Sequence, residues 1–250
     1  MTELNMNPDS KKENSFLEFF KTVFWAIVIA LVFRSFLFEP FSIPSGSMIP
    51  TLKVGDYLFV SKYSYGYSRY SFPFGIIPFS DRLFGREPER GDVIVFRKPG
   101  DESIDYIKRL VGLPGDEIYV REGILHINGA PVTRRLEPDM QGEHIPFGRP
   151  AIIYTETLPE GRAHLIQEYS DNDRMDNTPP RVVPDGHYFF MGDNRDNSRD
   201  SRAEVGFVPA ENLVGRAEFL FFSHNGRASI FEIWKWPSAI RFGRIGMSID

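Results

Sequence analysis

Ser103-Ile-Asp-Tyr-Ile-Lys-Arg-Leu-Val-Gly-Leu-Pro-Gly-Asp116 reads as a strand, Ser103–Val111, closed by a turn at Pro114-Gly115. The same rhythm continues on both sides. Tyr57–Ser61 and Asp92–Arg97 precede it; Glu117–Arg121, Ile124–Asn128, His187–Met191 and Ala217–Ser223 follow. Gly91, Pro99-Gly100, Asn128-Gly129 and Asp185-Gly186 punctuate these runs. Short apolar or alternating runs between turn signals predict a mainly β, antiparallel domain. After residue 40 the sequence offers no amphipathic helix longer than about two turns. Arg134–Arg181 is more polar and less patterned, as in an inserted subdomain or a long hairpin. The expected layout is a main β domain from 39–118 and 187–250, with a smaller β subdomain inserted at 119–186.

The N-terminus is different. Met1–Ser15 is polar and predicts a disordered tail, followed by an apolar span over 16–38. Its charge-free part, Thr22–Phe33, covers only about 18 Å as a helix, against about 30 Å of hydrocarbon. Counted from Phe16 to Phe38 the helix reaches about 34 Å, with Lys21 and Arg34 free to snorkel to opposite interfaces. A cleaved signal peptide and a buried soluble helix are the competing readings. Arg34-Ser-Phe-Leu-Phe-Glu-Pro40 offers no small-x-small cleavage site, which favours a retained transmembrane anchor. Lys11, Lys12 and Lys21 precede the charge-free part of the span and place the N-terminus in the cytoplasm.

Composition narrows the chemistry. Hydrophobic residues are 42% and charged residues 25%, so the chain as a whole folds. A net charge of −5 argues against a nucleic-acid partner. Cysteine is absent, which removes disulfides, thiol nucleophiles and Cys-ligated metals. Aromatic residues reach 14%, fitting a β-rich fold, a membrane-facing surface, or both. Eight of them fall in Tyr63–Phe84, which faces membrane or ligand or folds on its own core. Trp234 and Trp236 are either bilayer anchors or ordinary core.

The histidines, His126, His144, His164, His187 and His224, are scattered and form no metal motif. Gly192-Asp-Asn-Arg-Asp-Asn-Ser-Arg-Asp-Ser-Arg202 mimics a calcium loop. Counted from Asp193 it fails at the third position, Arg195, and at the sixth, Ser198, where glycine is needed. No metal and no cofactor are expected.

Two polar residues stand out. Ser47 lies in Phe41-Ser-Ile-Pro-Ser-Gly-Ser-Met-Ile-Pro-Thr-Leu52, stiffened by Pro44 and Pro50, with Gly46 permitting close approach. Such clusters are usually plain loops. A serine nucleophile also needs a base, and of eight lysines three precede the charge-free part of the span. Lys108 shares a strand face with Ile104, Tyr106 and Leu110. Lowering a lysine from about 10.4 to about 7 costs roughly 4.6 kcal/mol, which deep burial can supply. A snorkelling lysine on an edge strand is the plainer reading.

Taken in order, Ser45–Leu52, Gly55–Tyr63, Arg90–Phe96 with Asp105–Asp116, Gly192–Arg202, and Gly206–Pro209 with Asn212–Ala217 resemble the sequence blocks of bacterial signal peptidase I. These are membrane-bound Ser/Lys endopeptidases that remove signal peptides from exported preproteins. The resemblance implies Ser47 as nucleophile, Lys108 as general base, and Ser45 with the Ser47 N–H as oxyanion hole. It implies that Ser198 hydrogen-bonds the Lys108 amine, and that Asp200 with Arg202, and Asp193 with Arg109, are supporting ion pairs. It implies cleavage after Ala-x-Ala, with Phe41, Ile43, Pro44, Leu52, Tyr106 and Ile107 lining the substrate pocket. The substrate would lie extended along a strand edge. A single-pass inner-membrane location follows, with the catalytic domain outside. Some family members carry two spans where this sequence has one, and residues 120–186 match no block. A membrane-anchored binding domain and a Ser/Lys protease with another target are the alternatives.

Overall fold

The computed structural model describes residues 8–71, 82–142, 150–227 and 232–249. A helix, α1 (Pro8–Phe36), leads the chain. Its apolar part, Phe16–Phe36, has a mean hydropathy of 2.1 and is not buried against the rest of the protein, as a membrane-crossing helix requires. The helix begins earlier than expected: Pro8–Ser15, read as a disordered tail, forms its first turns. Pro8 suits that opening, since a helix N-terminus has no use for its missing N–H. The helix also ends two residues before Phe38, where the first strand starts.

Fourteen strands follow among the described residues: β1 (Phe38–Ser42), β2 (Asp56–Ser61), β3 (Val93–Lys98), β4 (Asp101–Gly112), β5 (Glu117–Arg121), β6 (Ile124–Ile127), β7 (Ala130–Pro131), β8 (Thr133–Leu136), β9 (Ile152–Thr157), β10 (Ala163–Glu168), β11 (Arg181–Val182), β12 (His187–Met191), β13 (Val208–Pro209) and β14 (Leu213–Ser223). Seven form one sheet in the order β1-β2-β14-β3-β4-β12-β13, and every pairing in it is antiparallel. The segment between Glu117 and Val182 supplies two smaller sheets, β11-β5-β6-β7 and β10-β9-β8. Positive φ at Asn128 and Gly129, and at Glu122 and Gly123, makes the tight hairpin turns that join β6 to β7 and β5 to β6.

Three apolar clusters hold the sheets together. One lies under β2, β3 and β14, around Leu58, Val60, Val95 and Leu220, and includes Ile43, Met48 and Leu52. A second sits between β3, β4 and β12, around Ile94, Phe96, Leu110 and Phe190. The third joins the small sheet to the large one through Val111, Ile118, Val120, Leu125, Phe189 and Met191.

The aromatic segment divides. Tyr65 is core, Tyr67 meets Phe36 at the end of α1, Tyr63 and Phe84 are exposed, and Phe72, Phe74 and Phe79 lie outside the described residues. Trp234 and Trp236 are exposed, so the core reading fails for both. His144 lies outside the described residues.

Candidate active site

Ser47 and Lys108 meet although 61 residues separate them. Ser47 sits in the turn that follows β1; Lys108 is on β4, opposite Ile94 on β3. The Lys108 Nζ lies 2.7 Å from Ser47 Oγ and donates a second hydrogen bond to the Ile107 carbonyl at 2.9 Å. Only 7% of Ser47 and 3% of Lys108 is exposed. Burial pushes the Lys108 amine down to about 8, while Asp200 and Asp193 pull it back up. The amine also stands 5.2 Å from the Tyr106 ring centre. Ile104, the fourth residue of that face, is exposed and contributes little to this desolvation.

Both expected ion pairs form. Arg109 and Asp193 are buried and doubly hydrogen-bonded at 2.9 Å each. Arg202 grips Asp200 through Nε at 3.0 Å and Nη2 at 2.9 Å. Burial raises each carboxyl, but the neighbouring arginine outweighs it and holds each below the ordinary carboxylate range.

Two sequence expectations need correcting. Ser198 does not hydrogen-bond the Lys108 amine, whose bonds go to Ser47 and Ile107. It follows a short turn, Arg195–Asn197, in extended backbone that carries its Oγ toward Gly192 and the Asp200 carboxylate instead. Leu52 does not line the groove. The turn after Ser47 folds it inward, fully buried, among Ile43, Met48 and Leu58.

The other four expected apolar wall residues and Phe41 do line a groove of about 690 Å³ beside the Ser47–Lys108 pair. One wall is Pro40–Ser47, the other Ile104–Lys108, and Asn197 and Arg199 close one side. β12 pairs with β4 only at Arg109–Gly112, so among the described residues the backbone of 104–108 keeps an open edge on that flank. Such an edge accepts an extended peptide. Ser45 Oγ stands 3.4 Å from Ser47 Oγ.

Sequence reasoning missed the residues that hold the nucleophile turn in place. Asn194 donates from its side chain to the Gly46 carbonyl at 2.9 Å and from its N–H to the Ser47 carbonyl at 3.1 Å. Thr51 donates to Asp193 at 2.6 Å. Gly192 is obligatory for packing, since a Cβ there would fall 2.5 Å from the Ser47 carbonyl oxygen. The acidic run pointed to this loop, but nothing in it marked these particular contacts.

Comparison with known proteins gives matches over most of the chain. The model of the signal peptidase family, peptidase S26, matches residues 16–222. A signal peptidase I from Rickettsia typhi is 46% identical over 87% of this chain and 85% of its own length. One from Rickettsia massiliae is 45% identical over 89% of this chain and 83% of its own. A crystal structure of a signal peptidase I from Enterococcus faecalis aligns over 52% of this chain and 97% of its own, at 27% identity and a TM-score of 0.32.

Proposed function

We infer a catalytic assignment from one premise: this chain belongs to the signal peptidase family, peptidase S26. It is a serine peptidase of the signal peptidase I type. We propose that Ser47 is its nucleophile and Lys108 its general base. The observation that carries this is the 2.7 Å contact between Ser47 Oγ and Lys108 Nζ at the floor of an open-edged groove.

The chemistry follows from the surroundings. A buried amine held near pH 8 is available unprotonated, and its lone pair then accepts the Ser47 hydroxyl proton. The freed oxygen attacks the scissile carbonyl of a peptide lying between the two walls. Negative charge develops on the carbonyl oxygen, where the Ser47 N–H and the Ser45 hydroxyl would donate to it. The ammonium of Lys108 returns the proton to the leaving amine. A water, deprotonated by the same amine, then releases the acyl group from Ser47. Asp193 with Arg109, and Asp200 with Arg202, brace the loop behind the dyad.

The substrate is an extended segment of an exported preprotein, cut after small residues of the Ala-x-Ala kind. Shallow apolar pockets built by Phe41, Ile43, Pro44, Tyr106 and Ile107 favour small side chains by excluding bulky ones. The anchor runs from a cytoplasmic N-terminus through the inner membrane, and the sheets stand outside. The Ser47 turn follows soon after the helix, so the dyad sits close to the membrane surface.

The test is cleavage of a peptide spanning an Ala-x-Ala junction by detergent-solubilised protein, with the cut located by mass. Cleavage after the second Ala, abolished by Ser47→Ala, supports the assignment. Full activity in Ser47→Ala or Lys108→Ala overturns it.

A further inference from the structure

The hairpin β9–β10 carries an unusual interior. Glu156 on β9, and His164, Gln167 and Glu168 on β10, are all buried. Glu168 pairs with Arg134 on β8, and the Gln167 side chain donates to the Tyr169 hydroxyl at 2.8 Å, while Glu156, with His164 beside it, faces the loop that begins at Gly192. Gln167 donates its N–H to the Asp193 carbonyl at 2.8 Å. Glu156 takes both Nη atoms of Arg195, with the first at 2.8 Å. Further along, the N–H groups of Tyr169 and Ser170 hold the Asp196 carboxylate at 2.6 and 3.2 Å. On its other side this loop grips the nucleophile turn through Asn194, as described above.

We propose that Glu156 is a positioning residue for Ser47: its paired hydrogen bonds fix Arg195, and through it the Asn194 contacts that hold the Gly46 and Ser47 carbonyls. The proposal rests on the assignment of Ser47 as nucleophile. It gives the segment between Glu117 and Val182 a catalytic purpose. The hairpin is the rear support of the loop, and the loop is the rear support of the nucleophile.

Charge and geometry argue for a directional role. Arg195 is buried, and a guanidinium anchored at two points cannot pivot. Within this cluster Glu156 and Asp193 balance Arg109 and Arg195. His164 Nε2, 3.5 Å from Glu156, stays neutral because burial and then Arg109 push its pKa down to about 4. Burying such a pair contributes little net stability by itself, whereas it specifies one arrangement of the loop.

The test compares Glu156→Gln with the double variant Glu156→Leu/Arg195→Met in the full-length protein. The double variant replaces the pair by apolar side chains, a change that is often neutral or stabilising for folding. Turnover, KM, the pH profile, thermal melting and amide exchange are measured on each. Misplacing a catalytic group by about 1 Å costs on the order of 10²-fold in rate, so kcat is expected to fall by about that factor in both variants, with KM unchanged. The double variant is expected to melt no lower than wild type, and the acid-limb midpoint is expected to stay in place. The Asn194 amide, which donates to Ser47, is expected to exchange faster, while the Leu110 amide does not. A double variant with wild-type kcat, a displaced midpoint, or unchanged Asn194 exchange overturns the proposal. The exchange readout needs no turnover, so it decides the positioning link even if the wild type fails to cleave and the nucleophile assignment falls.

Discussion

The Lys108 amine reaches the Ser47 hydroxyl at 2.7 Å from inside a pocket that leaves it almost no solvent. Burial lowers its pKa to about 8, against the upward pull of Asp200 and Asp193. The base is the free amine, so protonation switches it off. Activity is expected to climb as pH rises through about 8 and to level off above it. A kcat/KM profile in which rate is independent of pH across that midpoint, with chemistry limiting, would exclude a lysine base.

Asp193 is coupled to the same amine. Its carboxylate favours the ammonium form of Lys108 and neutralises Arg109 at 2.9 Å. In Asp193→Asn the favourable charge disappears and Arg109 is left uncompensated, and both changes disfavour the ammonium. The acid limb of the pH profile is therefore expected to move to lower pH, while stability falls by about 3–5 kcal/mol for a broken buried pair. Paired pH profiles and melting curves check this. A limb that stays put, or moves upward, would show that Asp193 does not act on Lys108.

What the sequence made legible follows from which interactions leave a pattern. Glu117–Arg121 and His187–Met191 matched the structure to the residue, since their buried faces are apolar. Within the stretch Arg134–Arg181, expected only as a subdomain or a long hairpin, the strands β9 and β10 leave no pattern for the opposite reason. Their buried positions include Glu156, His164, Gln167 and Glu168, on both faces of the hairpin, so alternation reads as polar noise unless partners such as Arg195 and Arg134 are known. The need of a hydroxyl for a base makes Lys108 one candidate among few lysines, but its pairing with Ser47 is implied by the resemblance, not by the residues alone. The pairing of Ser198 with Lys108 came from resemblance alone, and the backbone after Asn197 sends that hydroxyl elsewhere. Leu52 failed similarly, because adjacency to Ser47 in sequence says nothing about which side of the turn a side chain takes.

Two glycines near the dyad should respond differently to a methyl group. At Gly192 a Cβ meets the Ser47 carbonyl oxygen at 2.5 Å, and backbone cannot move aside without shifting the nucleophile. At Gly46 it meets only the end of the Ile49 side chain at 2.9 Å, which can rotate. Gly192→Ala is expected to lower kcat on the order of 10²-fold, the cost of a small misplacement. Gly46→Ala is expected to cost far less. Steady-state kinetics on the two variants decide it, and equal losses would show that the turn tolerates neither methyl.

The buried amine also predicts a conflict between activity and stability. In the unfolded chain Lys108 titrates near 10.5, and in the folded protein near 8. Between those values the unfolded state binds more protons, so this group's contribution to stability improves as pH rises from about 8 to about 10.5. Below about 8 the full cost of burying the charge is present. Lys108→Met removes that cost and keeps a side chain of similar length. It is expected to be inactive yet more stable at neutral pH, by on the order of 1–3 kcal/mol, with the gain shrinking toward pH 10. Chemical denaturation of wild type and variant at neutral and alkaline pH measures the difference. A variant less stable than wild type at neutral pH would mean that the hydrogen bonds to Ser47 and the Ile107 carbonyl outweigh the desolvation of the amine.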